Sequence, residues 1–155
     1  MRTEARRFRA AEGNALTDIT DTKLAFAGPE WIAAAEAILE DLAATHGEAG
    51  QRFSLCERFT DAPVEISPSG LAAWWFRLDG QTVEVGAGEI GDADATVTAD
   101  YVATLPVARL VYTPEVIAER RAKRERGELP SQQGDWSRAP RWLTELHNRL
   151  AVITA

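Results

Sequence analysis

The sequence predicts an α+β protein in which helices cover a largely antiparallel sheet, and three observations carry this prediction. Two strand-like segments meet at Asp79-Gly80, a dipeptide that tolerates the positive φ angles of a tight hairpin turn. Farther along, Ala95 and Val97 alternate with polar neighbours, which is the period of a half-buried strand. Apolar residues recur at helical spacing over residues 29–45, directly after Gly28-Pro29, which is a typical helix start.

The remaining elements follow from local signals. Residues 53–60 alternate as a strand, the hairpin strands lie near 71–78 and 82–85, and a short strand is expected at 64–66. Asp100 is a suitable N-cap for a helix that Pro106 should kink or split. Thr113-Pro114 opens a charged helix that ends near Gly127. Residues 128–137 form a loop or short strand, and a last helix starts around Pro140.

Length and composition predict one domain over residues 1–155, with residues 1–15 as a charged tail or the start of a helix. Hydrophobic residues make up 45% and charged residues 26%, so the chain has the composition of a globular protein. Cys56 is the single cysteine, which excludes an internal disulfide and fits a reducing compartment. We therefore expect a cytoplasmic protein.

Charge and hydropathy restrict the partners. A net charge of −7 works against nucleic acid as a partner, because phosphate binding needs clustered Lys and Arg. No apolar stretch reaches the roughly 20 residues that a membrane span needs, so no integral membrane segment is expected. One basic cluster, residues 119–126, could face a phosphate or an anionic membrane. The more conservative interpretation is a solvated helix with ion pairs along its surface.

The sequence contains no motif that indicates a dinucleotide cofactor or a metal ion. Gly86-Ala87-Gly88-Glu89-Ile90-Gly91 matches the dinucleotide-binding pattern, but it leads into a strand and not into a helix. Its acidic neighbours, Asp92 and Asp94, would also repel phosphate. His46, Cys56 and His147 lie on three separate elements, so we expect neither a metal site nor any other cofactor.

Glu57 and His147 are the candidate catalytic residues if the protein is an enzyme. Glu57 alternates in phase with Phe53, Leu55 and Phe59, so its carboxyl would be desolvated and its pKa raised if that face is the inner one. Alternatively, a bulge turns Glu57 outward, or Arg58 or Arg77 pairs with it. His147 lies beside the apolar face of the last helix, either as a packed core residue or as a hydrogen-bond donor in a pocket.

Aromatic residues are the stronger functional signal. The chain has eight large rings of interest for a domain of this size: Trp31, Trp74, Trp75, Phe76, Tyr101, Tyr112, Trp136 and Trp142. Both faces of the strand around Trp74, Trp75 and Phe76 carry rings, although a core needs only one filled face. The excess could line a pocket for an apolar ligand, cover a dimer interface or seat a second helix layer.

The order of these motifs resembles the sterol carrier protein type 2 family. The resemblance covers roughly residues 72–150. It rests on Phe76-Arg77-Leu78-Asp79-Gly80 with Val83-Glu84-Val85, on Asp92-Ala93-Asp94-Ala95-Thr96-Val97-Thr98 with Asp100, and on Gly127-Glu128-Leu129 with Gly134-Asp135 before the final helix. The charged helix before the return strand, and Pro130 in that strand, depart from the family pattern.

The resemblance implies a largely antiparallel sheet of about five strands, covered on one face by helices, with an apolar tunnel between the layers. Family members bind sterols, fatty acyl chains or other lipids. Related domains are attached to enzymes.

The sequence therefore predicts that the protein binds or carries a hydrophobic small molecule, such as a lipid, a sterol-like compound or an aromatic metabolite. The expected ligand-binding residues are those of the cavity wall and a basic anchor: Trp74, Phe76, Arg77, Tyr101, Leu105, Trp142 and Leu146. Glu57 and His147 are further candidate polar anchors. Two alternatives stay open, a cofactor-free isomerase, lyase or hydrolase that uses Glu57 or His147 for proton transfer, and a homodimeric interaction module.

Overall fold

A computed structural model of the chain describes residues 22–155, so the expected charged tail at residues 1–15 lies outside the described part. The described chain forms a five-stranded sheet with four helices. The helices are α1 (Pro29–His46), α2 (Tyr101–Ala108), α3 (Pro114–Glu125) and α4 (Leu143–Ala151). The strands are β1 (Arg52–Thr60), β2 (Ala72–Asp79), β3 (Thr82–Ala87), β4 (Ala95–Asp100) and β5 (Ser131–Gly134).

The strands are ordered β3-β2-β1-β4-β5, with β1 at the centre. Three of the four pairings are antiparallel, and β1 runs parallel to β4. This confirms an α+β fold with a largely antiparallel sheet. The parallel pair results from the path of the chain, because β2 and β3 form a hairpin on one side of β1 and the chain then crosses to its other side.

One face of the sheet, here called the inner face, carries the hydrophobic core. On β1 it presents Phe53, Leu55 and Phe59, and all three are buried. The ring of Trp31 on α1 meets Trp74 edge-on at 5.3 Å. Helix α4 contributes residues such as Leu146 to the same core. Helices thus cover the inner face, as the sequence predicts.

Helix boundaries follow the predicted signals. The carboxylate of Asp100 accepts a hydrogen bond from Ala103 N at 2.8 Å, which makes Asp100 the N-cap of α2. The Thr113 hydroxyl accepts one from Val116 N at 3.2 Å at the start of α3. Pro106 lies within α2 without splitting it, and the helix ends two residues later. It lacks an amide hydrogen and crowds the preceding turn, so it favours a short helix.

Residues 64–66 differ from the sequence prediction. The segment forms a turn in which Ile66 N donates to Pro63 O at 2.9 Å, and not a short strand. The turn is stabilised locally because Ser67 N also donates to Pro63 O, at 3.0 Å. Three alternating residues gave too short a pattern to separate a strand from a turn.

Candidate functional site

A row of side chains crosses the inner face from the core to the edge of the sheet. In register, Glu57 on β1 lies between Trp74 on β2 and Val97 on β4, and Val97 faces Gln132 on β5. Trp74 is 1% exposed, Glu57 and Val97 are partly buried, and Gln132 is exposed. The inner face therefore opens gradually from β2 towards β5, and Glu57 lies at the transition.

Glu57 is a carboxyl group in an environment that disfavours charge. Its Oε1 accepts a hydrogen bond from Trp74 Nε1 at 3.2 Å. Burial raises the pKa of the carboxyl from its ordinary 4.5 to about 7, and the bond from Trp74 opposes this only in part. Near neutral pH the group therefore exists in both protonation states, so it is able to donate or accept a proton.

The structure shows neither a bulge at Glu57 nor an ion pair between Glu57 and Arg58 or Arg77. The register of β1 with β2 and β4 is continuous through Glu57, so no bulge turns it outward. Arg58 pairs with Glu89, and Arg77 pairs with Asp92 at 2.7 Å. Among residues 22–155, no ion pair to Glu57 is formed.

A second polar group lies close to Glu57, where the loop before α3 meets α4. The ring of Tyr112 stacks on His147 with ring centroids 3.8 Å apart. The guanidinium of Arg120 on α3 lies 5.2 Å from the centroid of the Tyr112 ring. Tyr112 N donates to Asn148 Oδ1 at 2.7 Å, and Asn148 Nδ2 donates to Tyr112 O at 3.2 Å. Tyr112 is thus held by side chains from both helices.

Electrostatics link this group to Glu57. Burial raises the pKa of the Tyr112 phenol, and the charge of Glu57 raises it further, whereas Arg120 and Arg124 lower it. Burial also lowers the pKa of His147, although its bond to Leu110 O opposes this. That bond is 2.7 Å long and ends on a carbonyl that only accepts, so Nε2 carries the proton. Burial thus favours the neutral form of each group.

The predicted wall residues lie in the core. Trp74, Phe76 and Tyr101 are 1%, 0% and 4% exposed. Trp142 and Leu146 are also buried, and Leu105 is partly buried against the same cluster. These residues pack against protein neighbours here, so a ligand that contacted them would have to displace part of the helical layer.

Tyr101 illustrates how tightly this part of the core is held. Its hydroxyl donates to Phe26 O at 2.6 Å, and the two rings lie 5.4 Å apart. The Trp31 indole likewise donates to the Thr154 hydroxyl at 3.0 Å. The polar atoms of these two rings are therefore used within the core.

Arg77 is not brought together with the other predicted ligand-binding residues. It alternates with Phe76 along β2 and so lies on the outer face, 5.3 Å from the centroid of the Trp75 ring. Trp75 in turn lies against Gly86, where an added Cβ would come within 2.5 Å of the ring. The single ring on the outer face of β2, that of Trp75, is therefore covered by an arginine and by the neighbouring strand.

Two open clefts lie away from Glu57. One, of about 730 Å³, is lined by residues that include His46, Arg138, Arg141 and Trp142. The other, of about 490 Å³, lies at the end of the β1–β2–β3 sheet around Arg52 and Asp79. Among the predicted wall residues, Trp142 is the one that meets either cleft, and its indole Nε1 is buried without a hydrogen-bond partner among the described residues.

The glycine-rich segment and its acidic neighbours have structural roles. Residues 88–94 connect β3 to β4, so Gly86–Gly91 does not open a helix. Asp94 Oδ2 accepts from Ser54 N at 2.8 Å, and Ser54 Oγ accepts from Asp94 N at 2.8 Å. Within residues 22–155, no group of three His, Cys, Asp or Glu side chains is arranged to hold a metal ion.

Sequence reasoning did not connect Tyr112 with Glu57, or Arg120 with Tyr112. Tyr112 stood out only as one ring among many, and Arg120 only as part of a charged helix. Neither has a local pattern that points to β1, which precedes them by more than 50 residues. Their proximity results from the packing of the α2–α3 loop against α4.

Comparison with protein-family models and with curated proteins finds no match. Comparison with solved structures does find similar folds. One is described as a UbiJ-SCP2 ubiquinone synthesis protein, with 19% identity, 83% of this chain and 96% of that chain covered, and a TM-score of 0.46. Another is sterol carrier protein 2, with 16% identity, 81% and 99% coverage, and a TM-score of 0.49.

Proposed function

We propose that the protein, acting as a single domain, binds a hydrophobic small molecule between the inner face of the sheet and the helices beside Glu57. One observation carries the proposal. Glu57 is a carboxyl on the inner face of the central strand, yet it is only partly buried and lies beside the partly buried Val97. Such a position offers a polar contact at the end of an apolar surface, which is how small-molecule sites are commonly built.

The cost of this arrangement supports a binding role. Placing a carboxyl among apolar side chains is unfavourable, and the same desolvation raises the pKa of Glu57. A leucine at this position would fill the same row without a penalty. A hydroxyl or carbonyl group of a ligand would instead complete the hydrogen bonding that Trp74 begins.

The apolar part of the ligand would contact candidate wall residues and, in addition to them, Val97. Leu105 and Val97 are partly buried, and Trp74 and Leu146 lie in the adjoining core. Helix α3 is the least firmly packed part of the helical layer, because none of its residues, all of them described, is buried. We propose that α3 separates from the sheet when a ligand enters, while the loop before it stays bound to α4 through Asn148.

One observation favours an enzyme as the second candidate. A carboxyl with a pKa of about 7 is well matched to general acid–base catalysis near neutral pH. His147 would be the second proton-transfer group through Nδ1, because its Nε2 is bonded to Leu110 O. The reaction would be an isomerisation, elimination or hydrolysis of a hydrophobic metabolite without a cofactor.

The binding partners of the protein and its cellular compartment are proposed from its sequence and its cysteine. No helix among the described residues is long and apolar enough to cross a membrane. We propose a cytoplasmic protein without nucleic acid as a partner, and Cys56 is buried and unpaired in agreement with a reducing compartment. A homodimer would make the apparent melting temperature rise with protein concentration, so a dilution series tests that alternative.

Native mass spectrometry of the purified protein, compared with the denatured mass, is the decisive experiment. We expect one apolar molecule per chain, and its extracted mass identifies its chemical class. Val97→Trp should fill the open part of the inner face and remove the bound mass. Thr98→Trp is the matched control, because Thr98 lies on the same strand with its side chain on the outer face.

Each outcome has a consequence. Loss of the ligand in Val97→Trp with retention in Thr98→Trp supports the proposed site. Equal occupancy in both variants, or a wild-type protein that stays empty when incubated with lipid extract, contradicts it. Glu57→Gln then separates carrier from enzyme, because Gln still accepts the Trp74 bond and should preserve binding while abolishing proton transfer.

A further inference from the structure

The charged helix α3 is distinct from the rest of this acidic chain. The chain has a net charge of −7, yet residues 120–126 contain five basic side chains and one acid. The basic side chains are Arg120, Arg121, Lys123, Arg124 and Arg126. A basic segment of this density on an acidic protein marks a local positive surface, because charges beyond the Debye length of about 8–10 Å are largely screened.

Most of this charge is available to an external partner. Lys123 pairs with Glu119 at 3.3 Å and Arg126 with Glu128 at 3.0 Å, but all four side chains are more than 40% exposed. Exposed pairs of this kind contribute little and exchange readily for another anion. Arg121 and Arg124 are exposed, and neither forms an ion pair within residues 22–155.

Exposed apolar side chains lie beside this charge. Leu110 and Val111, in the loop before α3, are 41% and 42% exposed. The next residue, Tyr112, lies beneath Arg120 and is within the electrostatic reach of Arg124. Arg120 and Arg124 therefore lie near the segment that carries the apolar pair, and this segment together with the basic residues of α3 is here called the α3 surface.

The backbone that presents this surface is fixed. The Leu110 carbonyl is bound by His147, and the Tyr112 amide and carbonyl are bound by Asn148. Leu110 and Val111 are consequently held outward by α4. Exposing two aliphatic side chains on a fixed loop favours burial against a partner, because each would leave water on contact.

We propose that the α3 surface docks on an anionic lipid membrane. Arginines beside exposed aliphatic side chains fit the interface of a membrane, where phosphate groups and acyl chains are both present. A nucleic acid offers phosphates but gives no partner to Leu110 and Val111, and the net charge of −7 opposes it. The proposal is independent of whether the site at Glu57 holds a ligand.

Flotation with vesicles tests the proposal on the full chain. We expect the protein to float with phosphatidylcholine vesicles that contain phosphatidylserine and not with vesicles of phosphatidylcholine alone. Arg121→Glu/Arg124→Glu should weaken partitioning by more than about tenfold, because each basic residue near an anionic surface contributes on the order of a fivefold gain. High salt screens the arginine contacts and leaves the apolar ones. Leu110→Ser/Val111→Ser should therefore weaken the vesicle binding that is still present at high salt.

The control is Arg138→Glu/Arg141→Glu. It makes the same change in net charge at two exposed arginines that lie in the cleft around His46. Equal weakening by both double variants would mean that only net charge matters and would overturn the proposal, as would absence of wild-type binding to the anionic vesicles. Displacement from vesicles by a short DNA duplex that binds more tightly would assign the surface to nucleic acid instead. Circular dichroism verifies that the variants are folded.

Discussion

The two ends of the helical layer differ in how they are attached to the protein. Helix α1 buries five residues, Trp31, Ala35, Leu39, Leu42 and Ala43. None of the residues of α3, all described, is buried, and its Arg120 side chain lies over the ring of Tyr112. The difference indicates that α1 contributes more to the stability of the fold than α3 does, and the proposed ligand entry and membrane docking both involve the weakly packed helix.

The same contrast appears in the sheet. Beneath α1, β2 presents Trp74 and Phe76, which are nearly fully buried. On the other side of β1, Val97 is partly buried and all residues of β5 are exposed. Glu57 lies between the two regions. Tight packing is thus concentrated on the β2 side of the inner face, and the side towards β5 is more exposed.

The largest effect expected from this contrast is in the core under α1. Leu39→Ala should lower the free energy of unfolding by about 2–5 kcal/mol, because Leu39 is fully buried and its truncation leaves a cavity. Ile117→Ala on α3 should cost about 1 kcal/mol or less, because Ile117 is only partly buried. Urea denaturation measures both values. Similar losses in the two variants would contradict the idea that α3 is weakly attached.

The second prediction concerns Glu57 and pH. The folded chain keeps Glu57 protonated up to a pKa of about 7, while the unfolded chain ionises it near 4.5. Between these values the folded state holds more protons, so the Glu57 contribution to the free energy of unfolding falls as pH rises and then levels off. The full change amounts to roughly 3 kcal/mol before the partial exposure of Glu57 reduces it.

Glu57→Gln should remove this pH dependence and make the variant more stable than the wild type above pH 7. The test is the difference between the two proteins across the pH range, which cancels the titration of all other groups. Parallel stability curves for wild type and variant would show that the carboxyl is not desolvated.

The third prediction compares two tyrosines. Tyr101→Phe leaves the buried Phe26 carbonyl without its 2.6 Å hydrogen bond and should cost about 1–2 kcal/mol. Tyr112→Phe keeps the ring stacked on His147, so its cost should be only a few tenths of a kcal/mol. Thermal unfolding followed by circular dichroism measures both. A larger loss for Tyr112→Phe would mean that the loop before α3 belongs to the stable core.

The smallest effect is expected on the surface of α3 itself. Lys123→Ala removes the exposed pair with Glu119 and should change the free energy of unfolding by no more than about 0.5 kcal/mol. Hydrogen exchange at α3 amides should also be faster than at α1 amides. Protection of α3 equal to that of α1 would remove the distinction between the two helices.

The sequence alone determined the elements that have strong local signals. The hairpin at Asp79-Gly80, the cap at Asp100 and the start of α3 at Thr113-Pro114 are all present as predicted. The alternation of β1 also placed Glu57 in phase with Phe53, Leu55 and Phe59, while the strand register decided that this face is the inner one. These features are local because each depends on residues within a few positions of one another.

Tertiary structure decided the pairings and the environment of the site. The parallel partnership of β1 and β4, the ion pair between Arg77 and Asp92, and the stacking of Tyr112 on His147 all join residues far apart in sequence. A strand pattern gives the spacing of side chains but not the identity of the neighbouring strand. Likewise, the raised pKa of Glu57 depends on which surfaces exclude water from it, and only the packed helical layer determines that.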